Sequence, residues 1–101
     1  MDKASVILFN VSERAIGTNT VLIGNVAAIT CHGRAFLVKR STGNTIYVAF
    51  GSVEPGPKNY HVILTDSFPI FDDAVVIGDV RAVCSDANGL LSCYVRGGQT
   101  Q

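Results

Sequence analysis

The chain lacks tryptophan and has only three prolines, and it has no long apolar run. A membrane-spanning helix needs roughly 20 consecutive apolar residues, whereas the N-terminal run extends only from Val6 to Phe9. That run is also shorter than the apolar core of a secretion signal. We therefore expect no membrane partner and a protein that is made and folded in a cytoplasm.

An excess of charge of one sign is also missing. Eight basic residues balance eight acidic ones, and the only adjacent basic pair, Lys39-Arg40, is interpreted as the solvated end of a strand. Binding to nucleic acid depends on clustered positive charge, so we expect no nucleic-acid partner. The charged fraction of 16% is below the typical quarter. It suits a subunit that hides part of its surface in a homo-oligomer, and it equally suits a compact domain with uncharged polar turns.

Cysteine is scarce and has no metal-binding or redox spacing. The three cysteines include no C-x-x-C pair, which argues against a zinc site or a disulfide scaffold. Cys31 and His32 are adjacent, so in a strand their side chains point to opposite faces and cannot act as nucleophile and base. His61 is interpreted as a half-exposed strand residue.

Other signatures of chemistry are absent or have a simpler explanation. The sequence contains no G-x-S-x-G elbow, Walker loop, G-x-G-x-x-G fingerprint or calcium-loop pattern. Asp72-Asp73 is interpreted as a turn that accepts backbone amide protons, rather than as a pair of catalytic carboxylates. The sequence predicts no enzyme and no catalytic, cofactor-binding or metal-binding residue.

Short β-rich runs separated by Gly and Asn dominate the chain. Such spacing, without any helical periodicity, is typical of a sandwich or barrel. The length of 101 residues fits one domain with a full core. We predict a single antiparallel β-sandwich or jelly-roll-like domain over residues 1–101, with 97–101 as a flexible tail. Strands are predicted at 5–11, 20–23, 26–31, 34–39, 45–50, 60–64, 67–70, 79–84 and 90–96.

Turn chemistry predicts two hairpins. Strands 34–39 and 45–50 flank a connection that contains Gly43, and both faces of strand 45–50 are apolar, so this strand is predicted to be central. Asn88-Gly89 is the strongest short hairpin signal in the chain. It is predicted to join the last two strands, 79–84 and 90–96.

The register of the second hairpin depends on its loop. A two-residue loop at Asn88-Gly89 places Cys84 directly opposite Cys93. A four-residue loop changes the partners but leaves the apolar face unchanged. In both cases one face is formed by Val80, Ala82, Cys84, Leu91, Cys93 and Val95.

Proline and charge indicate which segments can lie at a sheet edge. The segment 51–59, with Pro55 and Pro57, is predicted to be a stiff loop, and Pro69 assigns 67–70 to an edge or a strand end. Strand 5–11 has neither charge nor proline. It is predicted either to join its own sandwich, which we favour, or to pair with another chain. The loop 53–59 and the two termini are the candidate contact elements.

Residues 20–96 resemble a recurrent pattern in small virion proteins of tailed bacteriophages. The resemblance rests on the segment from Gly33 to Gly51, which includes Asn44-Thr45-Ile46-Tyr47-Val48. It continues in Asp66-Ser67-Phe68-Pro69-Ile70, in Val80-Arg81-Ala82-Val83-Cys84-Ser85 and in Leu90-Leu91-Ser92-Cys93-Tyr94-Val95. The cysteines and the Pro55-Gly56-Pro57 loop depart from the pattern.

The resemblance implies a β-sandwich that serves as a capsid decoration (cement) protein, a head fibre, or a tail or connector component. Of these we favour capsid decoration, with the major capsid protein or other virion proteins as partners and the virion as location. A carbohydrate- or ligand-binding sandwich is the alternative, with Tyr47, Tyr60 and Tyr94 as the aromatic platforms.

Overall fold

The computed structural model describes residues 7–26, 34–74 and 78–98, which form two antiparallel sheets of four strands each. The strands are β1 Ile7–Ile16, β2 Val21–Val26, β3 Arg34–Lys39, β4 Ile46–Phe50, β5 Val62–Leu64, β6 Ile70–Ala74, β7 Gly78–Cys84 and β8 Gly89–Gly98. The predicted all-β sandwich is confirmed. Over these three ranges there is no helix that could span a membrane.

The strand order shows how the chain is wound. Sheet A has the order β1-β8-β3-β6 and sheet B the order β2-β7-β4-β5. The pairs β1–β8, β2–β7, β3–β6 and β4–β5 are those of one long hairpin folded over on itself. Pairing of β3 with β8 and of β4 with β7 then completes the sheets. This winding is that of an eight-stranded jelly roll.

Both predicted hairpins are wrong. Strands β3 and β4 lie in different sheets, as do β7 and β8, so the connections 40–45 and 85–88 cross between sheets. A type I′ turn at Asn88-Gly89 would need positive φ at both residues. Among the described residues, only Gly43 and Gly51 have positive φ.

The alternation of apolar residues along β7 and β8 is nevertheless confirmed where side chains are described. Their inward-facing residues come from opposite sheets and meet in one core, and Val95 lies outside the described side chains. Cys84 is paired with Ile46 and Cys93 with Leu37, so the predicted Cys84–Cys93 pairing is wrong and both thiols are free. The buried members are Val80, Ala82, Cys84, Leu91 and Cys93.

Strand β4 is central, as the sequence predicts. It lies between β7 and β5, and its residues Ile46, Val48 and Phe50 are buried in the core. Ala49 faces the other side of sheet B and is also fully buried, whereas Tyr47 is half-buried.

The edges of sheet A agree in part with the predictions. Strand β6 begins directly after Pro69 and is an edge strand, although the predicted strand 67–70 is shifted towards the N-terminus. Asp72 and Asp73 lie within β6 and not in a turn, because this strand continues to Ala74. Strand β1 joins its own sandwich as the other edge of sheet A, paired with β8 over its whole length.

The two ends of the chain pair with each other further than the sequence predicts. Gly97 and Gly98, assigned to a flexible tail, continue β8 and pair with Leu8 and Ile7. The predicted strand 26–31 lies mostly outside the described residues, as do Cys31 and His32.

The segment 51–59 is a loop, as predicted, and it folds back over the outer face of sheet B. Arg81 Nη1 donates to the Gly51 carbonyl oxygen at 2.6 Å, and Glu54 accepts a hydrogen bond from the Thr20 hydroxyl. Pro55 is buried. Ala49 is paired on that outer face with Arg81, the residue that donates to the loop.

Gly89 generates the first testable prediction. A Cβ at this position would lie 2.4 Å from the Ile16 carbonyl oxygen and 2.7 Å from Cys84 Sγ. We therefore expect Gly89→Ala to destabilise the fold by about 1–3 kcal/mol through overpacking. Gly17→Ala is the control, because nothing lies within 4 Å of the added methyl group. Urea denaturation should separate the two variants, and equal midpoints would contradict the close packing at Gly89.

The second prediction concerns the buried thiol of Cys93. Burial raises the pKa of Cys93 to about 11, which leaves only about a thousandth of the thiol ionised at pH 8. We expect a thiol reagent to modify Cys93 in the native protein at a rate that follows unfolding. The measurement uses a Cys31→Ser variant, with and without urea. Rapid native modification of Cys93, or a Cys84–Cys93 disulfide in non-reducing mass spectrometry, would contradict the structure.

Candidate functional site

Four connections meet at one end of the sandwich. In sheet A, β8 is antiparallel to both β1 and β3, and β6 is antiparallel to β3. Strands β1 and β3 therefore end where β6 and β8 begin. This arrangement gathers the connections 17–20, 40–45, 65–69 and 85–88, which we call the polar end, and each of them crosses between the sheets.

An open cleft of about 410 Å³ lies between three of these connections. Its lining consists of hydroxyl, amide and carboxylate side chains together with one glycine, so it is suited to hydrogen bonding rather than to apolar ligands. The lining residues are Gly43, Asn44, Thr45, Thr65, Asp66, Ser67 and Ser85.

Lys39 supplies a buried positive charge beneath this cleft. It is the last residue of β3 and follows the buried Ala35 and Leu37 on the inward face of the strand. Its side chain is fully buried, and Nζ donates to Asp66 Oδ1 at 2.5 Å and to the Ser41 carbonyl oxygen at 2.6 Å. A buried ammonium without a partner would be strongly destabilising. The interpretation of Lys39 as a solvated strand end is therefore wrong, whereas Arg40 is exposed.

Asp66 connects this buried charge to the cleft. Its carboxylate accepts the Gly43 amide proton, with N–O distances of 2.9 and 3.2 Å, and its side chain remains 54% exposed. Hydrogen bonds from Lys39 and from the Gly43 amide hold the pKa of Asp66 below its ordinary value. The carboxylate is therefore ionised at neutral pH and fixed in orientation.

A second carboxylate, Asp86, organises the connection 85–88. Its Oδ1 accepts the backbone amide of Asn88 at 2.8 Å and the side-chain amide of Asn44 at 3.0 Å. These hydrogen bonds, that of Asn88 first, lower the pKa of Asp86. Because Asp86 bonds the backbone two residues ahead, the chain turns here towards sheet A and does not form a two-residue hairpin.

The hydroxyls of the cleft are held by backbone amides. Ser85 Oγ accepts the Thr45 amide proton at 3.0 Å, and Thr65 Oγ1 accepts the Phe68 amide proton at 3.1 Å. A hydroxyl that accepts from an amide keeps its own proton as a donor. The cleft therefore presents oriented donors next to the Asp66 carboxylate.

Two aromatic pairs lie on the outer faces of the two sheets. Tyr47 and Tyr60 are paired on sheet B with ring centroids 5.6 Å apart. Tyr94 pairs with Phe36 on sheet A at 5.5 Å. Of the three tyrosines considered as platforms, the structure brings two together and places the third on the opposite sheet.

The residues considered for catalysis are not brought together. His61 Nδ1 accepts the Phe50 amide proton at 3.0 Å, and its ring stacks on Phe50 at 5.5 Å. Asp72 and Asp73 are consecutive in β6, so their side chains point to opposite faces. In the part of the chain that the structure describes, no group of three or more His, Cys, Asp or Glu residues could hold a metal ion.

Comparison of the chain with protein-family models, curated proteins and solved structures finds no match.

The polar end generates the third prediction. A carboxylate with a lowered pKa stabilises the fold above its unfolded-state pKa of about 4 and loses that contribution as pH falls through the folded value. We therefore expect the free energy of unfolding to decrease in acid. The decrease should be smaller in the Lys39→Met/Asp66→Asn double variant, although part of it should remain because the pKa of Asp86 is also lowered.

The single variant Asp66→Asn provides a second comparison. Asp66→Asn leaves the buried Lys39 without a carboxylate partner, so at pH 7 it should be less stable than the double variant. Urea titrations at neutral and acidic pH measure both effects. An unchanged acid dependence in the double variant would contradict the role assigned to the ion pair.

Proposed function

We propose that the protein is a non-enzymatic structural protein of a tailed-phage virion, a capsid decoration protein that stabilises the head by bridging shell subunits. The observation that carries this proposal is an aromatic surface on the outer face of sheet A. The resemblance of residues 20–96 to small phage virion proteins supplies the identity of the shell.

The apolar surface of sheet A consists of Phe36, Ile70 and Tyr94, and the exposed Phe68 lies in the connection that leads into β6. Phe36 and Tyr94 are direct cross-strand partners, and each is 37% exposed. Ile70 is 57% exposed and Phe68, two residues before it, is 74% exposed. Ile70 is paired with Val38 and is therefore diagonal to Phe36, whose direct partner in β6 is Asp72. Exposed apolar side chains grouped in this way mark interaction sites.

The two sheets differ in how their outer faces are covered. The loop 51–59 is bound to the outer face of sheet B through Arg81, and Ala49 is buried on that face. Large apolar side chains are exposed on both sheets, with Leu22, Tyr60 and Ile63 on sheet B. Sheet A differs in that its exposed aromatic residues Phe36 and Tyr94 are direct cross-strand partners. Aromatic side chains are frequent anchors of protein interfaces, and a specific contact buries on the order of 800 Å² per partner. The apolar surface of sheet A is therefore the face that we assign to the shell.

The winding of the chain is compatible with this role. Jelly rolls recur in viral capsid proteins, but also in lectins and cupins, so the fold alone does not decide between functions. The exposed aromatic pair and the phage-like pattern favour the virion role.

The fourth prediction tests this assignment with a matched pair of substitutions. Ile70→Ser removes an apolar contact from the surface of sheet A, whereas Ile63→Ser changes a 40% exposed isoleucine on sheet B. We expect purified protein to bind shells that lack it and to raise their temperature of disruption. Ile70→Ser should weaken binding by roughly tenfold, and Ile63→Ser should have little effect.

Native mass spectrometry of the free protein complements the shell assay, and we expect an oligomer. A protein that remains monomeric and does not bind shells lacking it would overturn the proposal. Equal effects of Ile70→Ser and Ile63→Ser would contradict the choice of face.

A further inference from the structure

We propose that the outer face of sheet B carries a binding site for a neutral saccharide, formed by the cleft of the polar end and the adjacent Tyr47–Tyr60 pair. The site lies on the sheet opposite the apolar surface of sheet A, so it does not depend on the proposed virion role.

The register of sheet B places the two halves of the site side by side. Ile46 is paired with both Leu64 and Cys84. One residue nearer the polar end, Thr45, Thr65 and Ser85 therefore form a row across the three strands. Tyr47 is paired with Ile63 and Val83, which form the next row on the same face. Consecutive rows on one face of a sheet are about 7 Å apart. A row of hydroxyls therefore lies next to an apolar row, within the length of one sugar ring.

The polar half offers the groups that bind a diol. Asp66 provides an ionised acceptor whose position is fixed by Lys39 and Gly43. Ser85 and Thr65 accept backbone amides and keep their protons for donation. Neighbouring hydroxyls of a sugar act as both donors and acceptors, so a fixed carboxylate beside hydroxyl donors complements them.

The apolar half offers a surface for the C–H face of the ring. Tyr60 is 43% exposed and Ile63 is 40% exposed, and Tyr47 supports the Tyr60 ring at a centroid distance of 5.6 Å. Tyrosine combines an apolar ring with a polar hydroxyl, which suits a ligand that is apolar on one face and polar at its rim. The loop 51–59 covers the neighbouring part of the same face and borders this surface.

The charge of the site selects against other ligands. The cleft lining contains Asp66 and no basic side chain, and the Lys39 ammonium beneath it is fully buried and bound to Asp66. Phosphates, nucleic acids and acidic sugars would therefore find no accessible basic partner in the cleft. A neutral saccharide is the class that satisfies both halves.

The test is an NMR titration of the ¹⁵N-labelled protein with glucose, galactose, N-acetylglucosamine, maltose and lactose at millimolar concentrations. We expect at least one of these sugars to shift the amide resonances of Thr45, Tyr47, Ile63 and Ser85 in a saturable way. Tyr60→Ala should weaken the binding of that sugar by roughly tenfold.

Tyr94→Ala is the matched control, because it removes an equivalent tyrosine from sheet A and should leave the affinity unchanged. Thr65→Val removes one hydroxyl of the polar half and should also weaken binding. Because Thr65 Oγ1 accepts the Phe68 amide proton, the urea midpoint of this variant is measured alongside its affinity. If none of the five sugars shifts these resonances, or if Tyr60→Ala and Tyr94→Ala have equal effects, the proposal is overturned. Saturable shifts in the same residues with an acidic sugar or a short peptide, and not with neutral sugars, would overturn the ligand class.

Discussion

The pairing of the first strand with the last is the constraint on which the rest of the structure depends. Strand β1 is paired with β8 from Ile7 with Gly98 to Ile16 with Gly89, so the first and last described strands lie side by side. The pairs β2–β7, β3–β6 and β4–β5 are nested inside this outermost pair. Among the described strands, β4 and β5 are the only consecutive ones that pair with each other. Pairings between distant segments close large loops, so such a fold is expected to form slowly compared with one that is built from local hairpins.

The same winding creates the surfaces that carry the proposed functions. Because the crossing connections gather at one end, their backbone amides need polar partners there, and Asp66, Asp86, Ser85 and Thr65 provide them. The buried Lys39 anchors this network to the core of sheet A. The outer faces are left with different characters: sheet A exposes an aromatic surface, whereas sheet B combines a polar cleft with a tyrosine pair.

Most strand positions and inward faces could be predicted from the sequence, because both follow from alternation along a single strand. The exceptions are β1, which continues to Ile16, and β6, which begins where the predicted strand 67–70 ends. The alternation of Val80, Ala82 and Cys84 identifies core residues whichever strand lies beside them. Strand partners could not be predicted in this way. Asn88-Gly89 is a hairpin signal, but the hydrogen bonds of Asp86 and the close contact of Gly89 with Ile16 and Cys84 decide the local geometry. Neither the partner Asn44 nor the contact at Gly89 is visible without the tertiary structure.

The candidate site was missed for a related reason. Lys39 alternates in its strand with Ala35 and Leu37, so its side chain is expected on the same buried face. The adjacent Arg40 instead makes the pair resemble the solvated end of a strand. Its partner Asp66 is 27 residues away, and no local pattern connects them. The sequence indicates the tyrosines as aromatic platforms for a ligand. Only the register of β4 with β5 and β7 places Tyr47 next to the row of hydroxyls formed by Thr45, Thr65 and Ser85.

The most direct test of this account is a set of cross-strand backbone NOEs measured on the free protein. The jelly roll predicts continuous NOE ladders between β8 and both β1 and β3, and between β7 and both β2 and β4. A continuous ladder between β7 and β8, with Cys84 opposite Cys93, would show a local hairpin instead. That result would contradict the winding, and with it the polar end and both proposed surfaces.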